Sequence, residues 1–290
     1  MTPEWKKKQD ALRLSGLPDM FGVDKPVIGM VHLPPLPGSP NYDGRGLDPI
    51  IEWAIRDVET YQQAGVDGLI VENMWDHPYF VGEDVPPEAM TAQAVAAREV
   101  VKVATVPTGI NVIHNGGPIA LSIALAAGAT FVRVCILTGA RLWDTGELDH
   151  GCASRLLRHR KNLQAEHIKI FADVDKKHSL PFPGLDLETH IEWTDFYLAD
   201  AFIVSGRMTG DAPPLEKVRK AKTLSRGRPI LMGSGTSAEN IADFLRYADG
   251  AIVGTSVKVD GQAENPVDRQ RMAAYMKAVE SSRLRPTSSK

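Results

Sequence analysis

The sequence predicts an α/β protein, a (β/α)8 TIM barrel with an N-terminal helical extension. Eight short apolar, β-rich runs alternate with helical patterns, a helix-end, turn and strand phrase recurs along the chain, and 290 residues suit one barrel. Residues 1–285 are expected to form a single domain, and the tail 286–290 to be disordered.

The N-terminal MTPEWKKKQD and the mixed segment after it are helix-like and lack the apolar core of a secretory signal. The first strand is expected at Val27 to Leu33, followed by a loop stiffened by Pro34, Pro35, Pro37 and Pro40 and a helix over Pro49 to Ala64. Strand Gly68 to Glu72 leads to helix Pro87 to Ala104, strand Thr108 to Ile113 to helix Pro118 to Ala127, and Phe131 to Ile136 is the fourth strand. The basic run Arg155 to Lys161 reads as a solvated helix face. The later strands are Lys169 to Val174, Ala201 to Val204, Ile230 to Met232 and Ala251 to Val253, with helices over Leu187 to Leu198, Pro214 to Ser225 and Ala238 to Tyr247 between them. Strict alternation implies a parallel sheet with right-handed crossovers. The echoes AGVDGLIVEN, AGATFVRVCI, YLADAFIVSG and RYADGAIVGT mark the repeats.

Composition narrows the partners. A net charge of −3 gives no electrostatic reason to expect nucleic acid, whose binders carry a basic surplus. The richest apolar stretch, Ile119 to Val132, is interrupted by Ser122, Gly128 and Thr130, so no transmembrane span is expected, while peripheral membrane contact stays open. Cys135 and Cys152 have neither metal-type spacing nor enough partners for a disulfide framework, which places the chain in a reducing cytoplasm.

The loops after the last two strands, Gly233-Ser234-Gly235-Thr236 and Gly254-Thr255-Ser256, carry the sharpest signal. Small residues let a backbone approach an anion closely and present its N–H groups, and in barrels the seventh and eighth loops commonly bind phosphate. Gly233, Ser234, Gly235, Gly254 and Thr255 are therefore the expected phosphate ligands.

Chemistry should sit beyond the C-terminal ends of the strands. His32 ends the first, where an imidazole suits proton transfer or metal ligation. Glu72 and Asn73 end the second, with Asp76 and His77 nearby, and a carboxylate among apolar residues needs a partner. Asn111 and Arg133 lie within apolar strands, with His114 and Asn115 beyond the third. Arg133 could clamp an anion or neutralise Glu72. After the fifth strand come Asp173, Asp175, Lys176, Lys177 and His178. Either lysine could serve as Schiff-base nucleophile or phosphate ligand, given burial to lower its pKa. Ser205 and Thr209 could hydrogen-bond a polar substrate. The catalytic set expected is thus His32, Glu72, Asp173, Lys176 and His178, the substrate-binding set Asn73, Asn111, Arg133, Ser205 and Thr209, and the candidate metal ligands His32, Glu72 and Asp173.

MVHLPPLPGSP, VENMWDHPY, GINVIHN, FVRVCILTGA, ADVDKKHS, DAFIVSGRMTGD, PILMGSGTSAEN and ADGAIVGTSVKVDG together resemble the BtpA/SgcQ family, in order and spacing, from Val27 to Gly261. The resemblance implies a phosphate-binding TIM barrel, and the family's names associate it with photosystem I biogenesis and with sugar catabolism. The expected function is a cytoplasmic enzyme acting on a small phosphorylated metabolite, a sugar phosphate, by acid–base chemistry of isomerase, epimerase or aldolase type. The alternatives are a non-enzymatic assembly or biogenesis factor for membrane complexes and a nucleotide or flavin binder. The cofactor is left open, with a divalent metal among the options, and a homo-oligomer is compatible with the sequence.

Overall fold

The computed structural model describes residues 10–82 and 84–283, together with Glu4 and Lys7; the tail 286–290 lies outside the described residues. The strands are β1 (Val27–His32), β2 (Gly68–Glu72), β3 (Thr108–Asn111), β4 (Phe131–Val134), β5 (Ala140–Trp143), β6 (Leu148–His150), β7 (Lys169–Asp175), β8 (Ser179–Pro181), β9 (Ala201–Val204), β10 (Ile230–Met232) and β11 (Gly250–Val253). Eight of them close a parallel barrel in the order β1-β2-β3-β4-β7-β9-β10-β11, with β11 paired back onto β1. The helices are α1 (Pro18–Phe21), α2 (Asp48–Gln63), α3 (Pro87–Val103), α4 (Gly117–Ala127), α5 (Ala153–Asn162), α6 (Leu187–Phe196), α7 (Leu215–Leu224), α8 (Ile241–Phe244) and α9 (Arg269–Arg283).

The barrel strands are buried on both faces, so they read as near-continuous apolar runs. Their outward side chains, such as Val31, Val71, Val132 and Ile170, pack against the helices. Inward ones, including Ile28, Ile70, Phe131, Phe171, Ile203, Leu231 and Ile252, fill the barrel. The N-terminal extension plugs the bottom of the barrel: Leu14, Leu17 and Phe21 join the inner core, and the Phe21 ring meets Phe131 at 5.9 Å between centroids. At the seam the Tyr61 hydroxyl donates to Met30 O (3.1 Å) and Val253 O (3.4 Å), tying first and last strands together. Gly29 makes room for that ring, since a Cβ there would stand 2.7 Å from Tyr61 Cδ1.

Several expected boundaries shift for local reasons. β3 and β4 stop before Ile113 and Ile136, because those two N–H groups donate instead to the side-chain oxygens of Asn73 and Asn115, both at 2.8 Å. α8 is regular over four residues only, as Ser237 N–H is taken by the Asn240 side chain. The basic run Arg155 to Lys161 lies in α5 and is not wholly solvated: Arg160 is buried and donates to the carbonyls of Ala165 and Glu166. A second, antiparallel sheet in the order β6-β5-β8, built from the loops after β4 and β7, was not expected. It stands at the strands' C-terminal end, Trp143 and Arg141 buried and Leu142, Leu148 and Leu180 aligned on its exposed face. Among the described residues no helix is long and apolar enough to cross a membrane.

Candidate functional site

Two residues beyond the innermost apolar layer, the inward positions turn polar. Ile70, Phe131 and Phe171 are followed at that spacing by Glu72, Arg133 and Asp173, Ile203 by Ser205, and Leu231 and Ile252 by Gly233 and Gly254. With His32 from β1 and Asn111 from β3 they form the floor of the barrel mouth. A cavity of about 340 Å³ opens above it, lined by His32, Glu72, Arg133, Lys177, Thr209 and the glycine loops.

Glu72 is buried, and its Oε2 accepts a hydrogen bond from the Asn111 amide. Burial alone would raise its pKa, yet Arg133, with Lys176 and Lys177, outweighs that and holds the carboxyl below its ordinary value. His32 Nε2 stands 3.8 Å from Glu72 Oε1. Burial, reinforced by Lys258, pushes this imidazole down to about 3, so it is neutral at physiological pH. Arg133 grips Asp173 in a two-pronged pair, and Asp173 is also within 3.5 Å of the Ser205 hydroxyl. Burial opposes ionisation of Asp173, but Arg133 and Lys176 keep it ionised.

The structure separates the residues grouped by sequence. His32, Glu72 and Arg133 line the cavity; Asp173 points inward beneath it and is committed to Arg133, so it is placed as a support and not as a free base. Ser205 sits in the same buried layer. Asn73 lies outside the cavity: its side chain binds both backbone groups of Ile113 and the Asp76 carboxylate, bracing two loops, while Asp76 holds Leu36 N–H in the proline-rich loop. Asn111 meets Glu72 rather than the open space. His178 bridges loops, with Nδ1 3.0 Å from Asp144 Oδ2 and Nε2 accepting from Thr209 N–H at 3.2 Å. Of the two lysines, Lys177 lines both the mouth and the adjoining cavity, while Lys176 lines the adjoining cavity alone, with Tyr79 and Trp143. The count of alternate residues could not distinguish them, because the β7–β9 register slips between Asp173 and Asp175. Burial, with Lys176 next to it, lowers the Lys177 pKa to about 8, Glu72 acting in the opposite direction. Among the described residues no group of three or more His, Cys, Asp or Glu is arranged to hold a metal ion, and the salt-bridged Asp173 does not complete one with His32 and Glu72.

Gly233, Ser234, Gly235, Gly254 and Thr255 all line the cavity, joined by Thr236 and Ser256 of the same loops, which the expected phosphate ligands did not include. The N–H groups of Gly235, Thr236, Thr255 and Ser256 have no acceptor among the described residues. Their loops are fixed from behind: Ser256 Oγ donates to Thr236 O at 2.6 Å, Asn240 Nδ2 to Gly235 O at 3.0 Å, and the Tyr275 hydroxyl to Thr236 Oγ1 at 2.9 Å. Gly235 has φ +76, and a Cβ there would stand 2.1 Å from Ala212 N, so glycine is required. Gly254 packs under His32, a Cβ there lying 3.1 Å from the ring.

Fold and site together define a (β/α)8-barrel protein with a charged mouth and two glycine loops at the ends of its last strands. The chain belongs to the BtpA family, whose sequence profile matches residues 23–281. An uncharacterized Pyrococcus furiosus protein is 44% identical over 247 residues, covering 85% of this chain and 92% of the relative. The photosystem I biogenesis protein BtpA of Synechocystis is 38% identical over 260 residues, covering 89% of both. Among solved structures, Mycobacterium tuberculosis tryptophan synthase superposes with a TM-score of 0.58 at 15% identity, over 96% of this chain and 99% of that one, a likeness of fold.

Proposed function

We propose that this protein is an enzyme acting on a small phosphorylated metabolite, with the phosphate held by the loops after β10 and β11 and the chemistry carried by Lys177. The supporting observation is their juxtaposition: backbone N–H groups without protein acceptors share one cavity with an amine whose pKa is about 8. At pH 7 roughly a tenth of such an amine is unprotonated, enough to take a proton from carbon or to add to a carbonyl. In the second case the nitrogen bonds to the carbonyl carbon and gives up one proton, the carbonyl oxygen takes that proton and another from solvent and leaves as water, and an iminium forms, as in aldolase-type chemistry. Glu72 stays ionised, balancing the cations around it, and neutral His32 serves as a hydrogen-bonding partner for the reacting group. Isomerase, epimerase and aldolase-type reactions of sugar phosphates all fit this arrangement, and the two free cysteines accord with a cytoplasmic setting.

The test is calorimetric titration with inorganic phosphate and sugar phosphates, followed by borohydride treatment of any complex and mass analysis of Lys177. Phosphate-dependent binding is the expected result, and absence of binding by every phosphorylated compound would remove the reading. The name of the Synechocystis relative supports a second reading, an assembly or biogenesis factor for membrane complexes. That reading requires no turnover of any bound metabolite and specific association with a membrane-complex subunit.

A further inference from the structure

A second cavity, about 350 Å³, adjoins the mouth and shares Lys177 and Thr209 with it as walls. Its lining is aromatic, gathered from three loops: Trp75, His77 and Tyr79 after β2, His114 after β3 and Trp143 on β5. The rings form a continuous chain that begins in the mouth. His32 meets Trp75 at 6.5 Å between centroids, Trp75 meets His77 at 5.9 Å, His77 meets Tyr79 at 6.3 Å, and Tyr79 meets His114 at 4.7 Å. His114 then stacks on Trp143 at 3.8 Å with 6° between planes. Trp143 is held by an indole N–H bond to Asp149 at 3.3 Å, so the stack is fixed. His114 is 96% buried by its 4% exposure, yet its Nδ1 has no hydrogen-bond partner. A buried ring nitrogen without a partner is expensive if it serves packing alone.

We infer that this cavity is the ring-binding half of the site, and that the substrate is a phosphorylated compound bearing a planar heteroaromatic ring, as in a nucleotide or a phosphoribosyl heterocycle. The inference rests on the phosphate reading for the other half. Phosphate on the glycine loops leaves the rest of the molecule to cross Lys177 and Thr209, the residues common to both cavities, into the aromatic chamber. Flat faces suit the gap because ring stacking tolerates many heterocycles, while Lys176, Lys177, Asp144 and Glu264 in the same lining offer hydrogen bonds to ring substituents. Sequence alone offers no ring-binding motif, since the contributing residues are scattered from Trp75 to Trp143.

The experiment titrates the intact protein with inorganic phosphate, ribose 5-phosphate, adenosine, uridine and the two nucleoside 5′-monophosphates, by calorimetry and tryptophan fluorescence. The monophosphates should bind about tenfold or more tighter than ribose 5-phosphate, with quenching, as expected for one stacked base. Trp75→Leu, at a partly exposed ring, and Tyr79→Leu should erase that advantage while leaving the affinity for ribose 5-phosphate unchanged. If phosphate and ribose 5-phosphate bind but neither monophosphate gains over them, the ring site is refuted and the phosphate reading stands. If the nucleosides bind in a Trp75-dependent way while phosphate has no effect, the phosphate reading falls and the ring site stands. A ring advantage that survives both substitutions, or no binding by any probe, overturns the inference.

Discussion

Arg133 and Asp173 form a bidentate ion pair across neighbouring barrel strands, with Nε and Nη2 each 2.9 Å from one carboxylate oxygen and both side chains buried. Planar fork-to-carboxylate geometry fixes the guanidinium at the mouth's floor, where it in turn keeps Glu72 ionised.

Removing one member strands the other, so Asp173→Asn should destabilise the fold by about 3–5 kcal/mol. Scanning calorimetry is expected to show a Tm lower by roughly ten degrees. An unchanged Tm with turnover lost would return Asp173 to the catalytic set. Acid should act in the same direction. Asp173 and Glu72 are both held below their ordinary values, so the stability they contribute is complete above the normal carboxylate range and is lost as pH falls through their folded-state pKa values.

Lys177→Met should lower turnover about a hundredfold to ten-thousandfold while the protein stays folded. If the proposed function holds, the rate of the unaltered protein should rise with pH around a midpoint near 8, as the amine loses its proton. The pH–rate profile of an identified substrate checks this; a flat profile from pH 6 to 10 argues for a different base.

Glu72→Gln isolates the electrostatic coupling. The Glu72 carboxylate raises the Lys177 pKa against burial, so its neutralisation should move the Lys177 midpoint below 8. Competitive amine labelling of Lys177 with an acid anhydride across pH reads that shift without needing a substrate. A midpoint that stays at 8 would mean that the two groups do not interact.

The two loop glycines should behave differently. Gly235→Ala forces a Cβ into the Ala212 backbone at a positive φ, so it should lower thermal stability and abolish phosphate binding together. Gly254→Ala meets the movable His32 ring and should leave the fold intact while weakening phosphate binding about tenfold, or 1.4 kcal/mol. Equal effects of both on melting temperature would contradict this.

The barrel was legible because buried parallel strands carry uninterrupted apolar runs, and Gly68–Glu72, Ala201–Val204 and Ile230–Met232 fall where that pattern places them. The β6-β5-β8 sheet was not, since strands of three or four residues with exposed Leu148 and Leu180 carry no such run. Residue type identified Glu72, His32 and the glycine loops as site candidates. It could not tell that Asn73 faces Ile113 or that Asp173 is spent on Arg133, because these depend on side-chain partners distant in sequence, nor that Lys177 and not Lys176 enters the mouth, because the strand's register slips just before them.

The Tyr61 clasp at the β1–β11 seam bears on how this chain is made. Val27 pairs with Ala251, so one edge of the first strand has no ladder partner until nearly the whole sequence has been synthesised. Closing that gap is a long-range event, slow because so much chain must be gathered first. Until it happens, an open, apolar sheet edge is offered to neighbouring nascent chains. Met30 O and Val253 O, joined by the Tyr61 hydroxyl, mark the place where synthesis ends its exposure to aggregation and where the glycine loop at Gly254 first acquires its shape.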